Sequence, residues 1–560
     1  MDDEAKAIVG GGFEDTIEIG DLEPLTFEAA LNAHGLYETT RFVLRLSPRN
    51  HELINALPSD HQTRVEVSAE TLRAYATYLH ETVHWWQHVG STSGLLLSLS
   101  YLGQSHSTMD FLREVIAKFG PKKSLKRWTD NVLMAEGDAA QGKLAAANIA
   151  VNNAIDVEYY KAYAHSPRTA IGWIIEQNHF ECIGHTYNVV YGQLLGMLSD
   201  TFDPHSLCMP NGETWEKPFL QLRNAKVEGH FWGSSVHVPP LGLHAIYEGQ
   251  ARFTQLQFLS EAGGRDITCD EFRRAGYFEG IYVQAFERFL TDSQSDWPER
   301  FSDPVVGLFL LICDLAINPT RGFPLNIENF DDFIRDVDVG VRFFLLSRAV
   351  RELPHLKSAI KEHSREEYLA AAEELTAAAG YDNPMAALEA IEVWRSKMPS
   401  LEKLMEEHRT FRFEKVNLPI RVFFSHFLSF SRDKLHRPEF FCWPGKWKAG
   451  RKVTEEIIAL WLRHLSLFSD HPDKSGVYPR KWPDREEAAV RETFESFYGT
   501  MALYDLTRQW ILRDGPFVCD YRWLMENYSQ ERADAWANDT FKQVYGITLD
   551  AFEILSTKAN

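Results

Sequence analysis

Hydrophobic spacing along this chain is predominantly helical. Apolar positions recur at intervals near 3.6 over segments 69–89, 93–119, 131–163, 168–199, 241–262, 270–290, 304–317 and 329–350, with Gly or Pro between them. Alternation with a period of two is confined to the beginning, where "TTRFVLRLSP" (39–48) and "TRVEVS" (63–68) predict two short strands after a loop-rich start. Ser68 and Glu70 mark the opening of the first long helix. From about residue 351 the texture changes to charged, Ala- and Glu-rich helices, "KEHSREEYLAAAEELTAAAG" and "PSLEKLMEEHRTFRFEK", whose charge spacing suits a solvent-facing surface. The pattern predicts a mainly α protein: a multi-helical domain over 1–350 with a few short strands, then a helical C-terminal domain over 351–560. Two aromatic-basic stretches, "KLHRPEFFCWPGKWKAGRK" and "DHPDKSGVYPRKWPDREE", read as loops packed by their own aromatics, with a peptide-binding or membrane-facing surface as the alternative.

Composition narrows the class. At 560 residues, 44% of them apolar and 13% aromatic, the chain has the makings of a large folded core and not of a disordered polymer. A formal charge of -21 with scattered basic residues argues against nucleic acid as a partner. The densest basic run, "PKKSLKRW", reads as a solvated helix face. The six cysteines form no CxxC pair, which suits reduced thiols. The acidic N-terminus "MDDEAKAIVGGG" does not resemble a secretory signal, and the longest apolar run, "VVGLFLLICDLAI", is too short to span a bilayer and carries Asp314. A soluble, cytoplasmic protein with no membrane span is the expectation.

The segment that changes this picture is "LHETVHWWQHVGSTSG" (79–94). On a helix over 69–89, Leu72, Ala76, Leu79, Val83 and Trp86 form one apolar stripe and Ala74, Tyr78, Trp85 and Val89 a second. Arg73, Thr77, His80, His84 and Gln87 are left as a polar strip on a largely buried helix. Buried polar groups without partners cost about 1–3 kcal/mol each, so the strip must meet something. His80 and His84 lie one turn apart, about 6 Å along the axis, and both imidazoles can converge on one ion. Glu81, about 100° round the helix, is too far to share that ion but near enough to reach a water beside it. This is the His-Glu-x-x-His arrangement of two metal ligands and a general base. His88 lies too far along the same helix to join them, and reads as a supporting or packed residue. A second polar strip, His244, Glu248, Arg252 and Gln255, lies on the apolar helix that opens after Pro239 and Pro240. Glu248 is therefore the candidate third ligand. Gly249 beside it removes a side chain where the two helices would come close.

With these residues in place, "HETVHWWQ" followed by "YEGQAR" resembles the gluzincin group of zinc metallopeptidases. The resemblance covers two short stretches. It implies a zincin-like catalytic domain, Zn²⁺ held by His80, His84 and Glu248, and hydrolysis of a peptide or protein substrate by a water that Glu81 deprotonates. His244, Tyr247 and Arg252 are candidates to face the developing oxyanion. Some members carry an aspartate four residues after the ligand glutamate; Arg252 stands there here, so Asp314 is the candidate to orient a ligand histidine. The C-terminal 200 residues could select a protein substrate.

Two rival readings use the same residues. Glu81-x-x-His84 and Glu176-x-x-His179, with Glu136 between them, could supply a helical di-iron carboxylate site. Alternatively the chain is an interaction protein with a structural metal. His179, His185, His230 and His237 read as hydrogen-bonded structural residues, and "GSTSG" has Thr92 where a serine-hydrolase elbow would place its nucleophile.

Overall fold

The computed structural model describes residues 34–39, 41–57, 67–264, 267–471, 474–480, 485–521 and 529–555. The protein is mainly helical, as the spacing predicts. The strand expected over 39–48 forms as β2 (Val43–Leu46), preceded by β1 (Gly35–Glu38), to which it pairs antiparallel. The strand expected over 63–68 lies largely outside the described residues. Two further strands, β3 (Phe468–His471) and β4 (Lys474–Pro479), complete a four-stranded sheet in the order β1-β2-β3-β4. The β2–β3 pair is parallel and joins Val43 to Phe468.

The helices that build the site are α1 (Ala69–Gly90), α2 (Thr92–Phe119), α3 (Ala145–His165), α4 (Ile183–Phe202), α5 (Leu243–Ala262), α6 (Ile281–Ser293), α7 (Pro304–Ile317), α8 (Leu418–His436) and α9 (Glu487–Leu512). Ser68 caps α1 through the Thr71 amide, as its position foretold. Two predicted helices break where the chain needs a left-handed residue. Gly137 at φ 61° ends a helix at Glu136 before α3 begins; Gly276 and Gly280, at 80° and 56°, part Cys269–Arg274 from α6. The segment over 168–199 parts into Pro167–Ile174 and α4.

α1 is buried on nearly every side from Ala74 onward. α5 lies along one flank, with the Gln87 amide donating to the Tyr247 carbonyl at 2.9 Å and the Tyr247 hydroxyl to the Gln87 carbonyl at 3.3 Å. α8 lies on another flank, where Gly90 leaves room for Phe430, whose ring would be 2.7 Å from a Cβ there. One hydrophobic core runs through residues on both sides of position 350. Trp86 donates its indole N–H to the His464 carbonyl at 2.8 Å, and Trp443 donates to that of Gly307 at 2.9 Å. The first aromatic-basic stretch folds into this core, with Phe440, Cys442 and Trp443 buried, while parts of the second lie outside the described residues. Among the described residues no helix is long and apolar enough to cross a membrane.

Candidate metal centre

Positions 80, 84 and 88 of α1 meet α5 in reverse order. His80 lies near Arg252, His84 meets Glu248, and His88 packs its ring on Tyr247 at 5.4 Å. The two polar strips predicted from spacing therefore meet in an antiparallel pair. At their centre, His80 Nε2 and His84 Nε2 are 3.1 Å apart, and Glu248 Oε2 stands 3.5 Å from the first and 3.4 Å from the second. Among the described residues this is the one group of three or more His, Cys, Asp or Glu side chains whose donor atoms converge closely enough for an ion, all within 4.8 Å.

Those three separations are the test of fit. Bonds of about 2.0–2.1 Å to a tetrahedral ion place its donors about 3.3 Å apart, so the atoms already outline one face of a zinc tetrahedron. Nearby groups fix which atoms they are. The Gln87 amide nitrogen donates to the Tyr247 carbonyl and to Gln250 Oε1, both at 2.9 Å, so Gln87 Oε1 is the atom turned to His84 Nδ1 at 2.8 Å. An acceptor there requires the proton of His84 on Nδ1, leaving the Nε2 lone pair aimed at Glu248.

Three electron-rich atoms facing one another in a buried site require positive charge between them. Burial works against charge on His84, but the charge and hydrogen bond of Glu248, with the charge of Glu81, push it up to about 9. His80 is pushed down to about 4 by burial, against its bond to Glu248. Burial also opposes ionisation of Glu248, yet His84 and His80 together hold its carboxyl well below the usual range. A proton satisfies one edge of this triangle, whereas a dication satisfies all three.

Glu81 is buried and close enough to bias His84, yet stays outside the three-donor cluster, as its angle on the helix predicts. Its neighbour is β1: a Cβ on Gly35 would lie 2.9 Å from Glu81 Cγ and Oε1, so only glycine lets this strand lie against the acid. His244, half-buried one turn before Glu248, stacks on His165 of α3 at 4.5 Å. The Tyr247 hydroxyl is engaged with α1, and Arg252 lies over the Tyr282 ring at 4.0 Å while donating to Gln255.

No family model, curated protein or solved structure matches this chain. The site therefore rests on its own residues.

Several expectations require correction. Asp314 does not orient a ligand histidine. Its carboxylate accepts from Lys434 at 2.6 Å and from the Tyr368 hydroxyl at 2.9 Å, across a cavity of about 30 Å³ from Gln87, which holds His84 instead. Gly249 does not admit α1; its bare Cα faces α6, where a Cβ would come within 3.1 Å of Ala285 Cβ. The di-iron constellation is not assembled. Glu176 is exposed in a turn, His179 bonds Asp130 and Asn152, and neither joins a cluster with Glu81 and His84. The "GSTSG" stretch is a helix corner, in which Ser91 ends α1 and caps α2 by accepting from the Gly94 amide at 3.0 Å.

Proposed function

We propose that this chain is a zinc-dependent metallopeptidase in which His80, His84 and Glu248 hold the ion and Glu81 is the general base and acid. The observation that carries the reading is the triangle of Nε2, Nε2 and Oε2 atoms with sides of 3.1, 3.4 and 3.5 Å. When bound, zinc at these donors supplies Lewis acidity, bringing the pKa of a water to about 7 and polarising a carbonyl. Glu81 stands beside His84 and is the group that accepts the proton of the attacking water and returns it to the leaving amine. Gln87 fixes the protonation of His84, so that its Nε2 remains a donor through the reaction.

A peptide is favoured over other carbonyl compounds by β1. This strand pairs on one side with β2 and, among the described residues, its other edge is unpaired. Gly35 brings that strand against Glu81, so an extended backbone added along the edge would run past the base.

Elemental analysis of the purified chain tests the reading directly. We expect about one zinc per chain, lost in His84→Ala and retained in Glu81→Gln. Hydrolysis of a fluorogenic peptide mixture should fall by about 10²-fold or more in Glu81→Gln. A chain that binds no zinc, or a Glu81→Gln variant as active as wild type, would refute it.

A further inference from the structure

One turn beyond the metal ligands, in the direction of α3, lies a layer of nitrogen bases that zinc binding does not use. His88 follows His84 by four residues and His244 precedes Glu248 by four. Because α1 and α5 run antiparallel, the two stand at the same level. α3 closes the layer from the side with Lys161 and His165, themselves four residues apart on one face. His165 stacks on His244 with ring centroids 4.5 Å apart. This contact depends on Gly242, where a Cβ would lie 2.4 Å from the His165 carbonyl oxygen. His88 feels the charges of both Lys161 and His165.

The anomaly in this layer is Lys161. Its ammonium lies 3.7 Å from the centroid of the Tyr101 ring and forms no ion pair among the described residues. The nearest acid, Glu158, is bonded to Arg508 Nε at 2.6 Å. Burial, helped by the neighbouring charge of Arg508, brings the lysine down to about 7 against the charge of Glu158. The one acid that bears on Lys161 is thus already committed elsewhere. A partly buried ammonium is ordinarily ion-paired, and with Glu158 held by Arg508 the donors of Lys161 are left for an anion from outside. The layer is open on the right side: Lys161, His165, His244 and Glu248 are only half-buried, whereas His80, Glu81 and His84 are buried.

We propose that Lys161, flanked by His165 and His244, is a subsite for a carboxylate carried by the substrate. The carboxylate would be either the terminal group of a peptide or the side chain of an acidic residue next to the cleaved bond. The proposal rests on the metallopeptidase reading for its biological meaning but is tested by binding alone, so a failure to find zinc or hydrolysis leaves its test standing.

The test is a ligand-observed NMR titration of the full-length chain with three probes. N-acetylalanine carries a terminal carboxylate, the α-amide of N-acetylglutamate only a side-chain carboxylate, and N-acetylalaninamide neither. At least one carboxylate probe should bind about tenfold or more tightly than the neutral amide, and which one does so identifies the source. That preference should vanish in Lys161→Met and persist in Lys161→Arg. Because Lys161→Met removes an unpaired cation from a partly buried site, it should unfold at a temperature no lower than wild type. Equal or undetectable binding of all three probes overturns the proposal, as does an undiminished preference in Lys161→Met.

Discussion

Gln87 shows how much one amide can decide. Its two donated bonds leave its oxygen no partner but His84, and through that contact it sets which ring nitrogen faces Glu248. Replacing Gln87 with Leu keeps the volume and removes the acceptor, so zinc affinity should fall by about 10–100-fold in competition with a chromophoric chelator. Unchanged affinity would mean that the helix backbone alone orients the imidazole. The convergence of these three side chains was legible in the sequence because helical spacing puts His80 and His84 on one polar strip and Glu248 on another, and buried polar strips must find each other. The role of Gln87 was not legible, although it lies on that strip, since its meaning depends on the Tyr247 carbonyl and Gln250 across the helix interface. Asp314 was misread for a related reason. A buried carboxylate on an apolar helix announces that it has a partner, but not whether the partner is an imidazole or the Lys434 ammonium.

At the scale of elements, α1 and α2 meet at a corner with a single residue, Ser91, between them. Gly94 makes the corner possible, because a Cβ there would sit 1.8 Å from the Gln87 carbonyl oxygen. Neither backbone can yield without moving Gln87 itself. Gly94→Ala should therefore lower stability by about 3 kcal/mol in urea unfolding and weaken zinc binding together. A stable variant with normal zinc affinity would show that the corner relaxes independently of the site. The sequence revealed most helices by their periodicity, but joined pieces that glycines at positive φ divide. It also read the helix corner only as a failed nucleophile motif. Periodicity reports which face is buried and is nearly blind to a one-turn break when the apolar phase resumes afterwards.

For the whole molecule, the change of composition near residue 350 does not coincide with a break in packing. Trp86, two residues beyond His84, bonds to the His464 carbonyl and packs on Phe430, Phe440 and Phe441. A fragment ending at residue 350 should therefore expose this aromatic surface, bind a hydrophobic dye and fail to retain zinc; a compact, zinc-binding fragment would contradict this. The chain should also be acid-labile. Burial pushes His363 and His408 down to about 3 and holds His426 well below its usual value. Their folded-state values lie below the unfolded value of about 6.5, so the unfolded chain takes up protons first as acid is added. Stability intact above about pH 6.5 should decline toward pH 3, by up to about 1.4 kcal/mol per pH unit for each histidine. Urea unfolding at stepped pH measures the slope, and His408→Gln should flatten it. Stability that rises on acidification would contradict the assignment.

The parallel pairing of Val43 with Phe468 has a consequence for biosynthesis. A two-stranded ribbon such as β1–β2 is marginal in water, and its third strand is translated last among them. At about 5–20 residues per second, the ribosome needs tens of seconds to deliver it. Until then the strand that carries Gly35 has no completed sheet to hold it against Glu81, so the surroundings of that acid are finished only after nearly all of the polypeptide has been made.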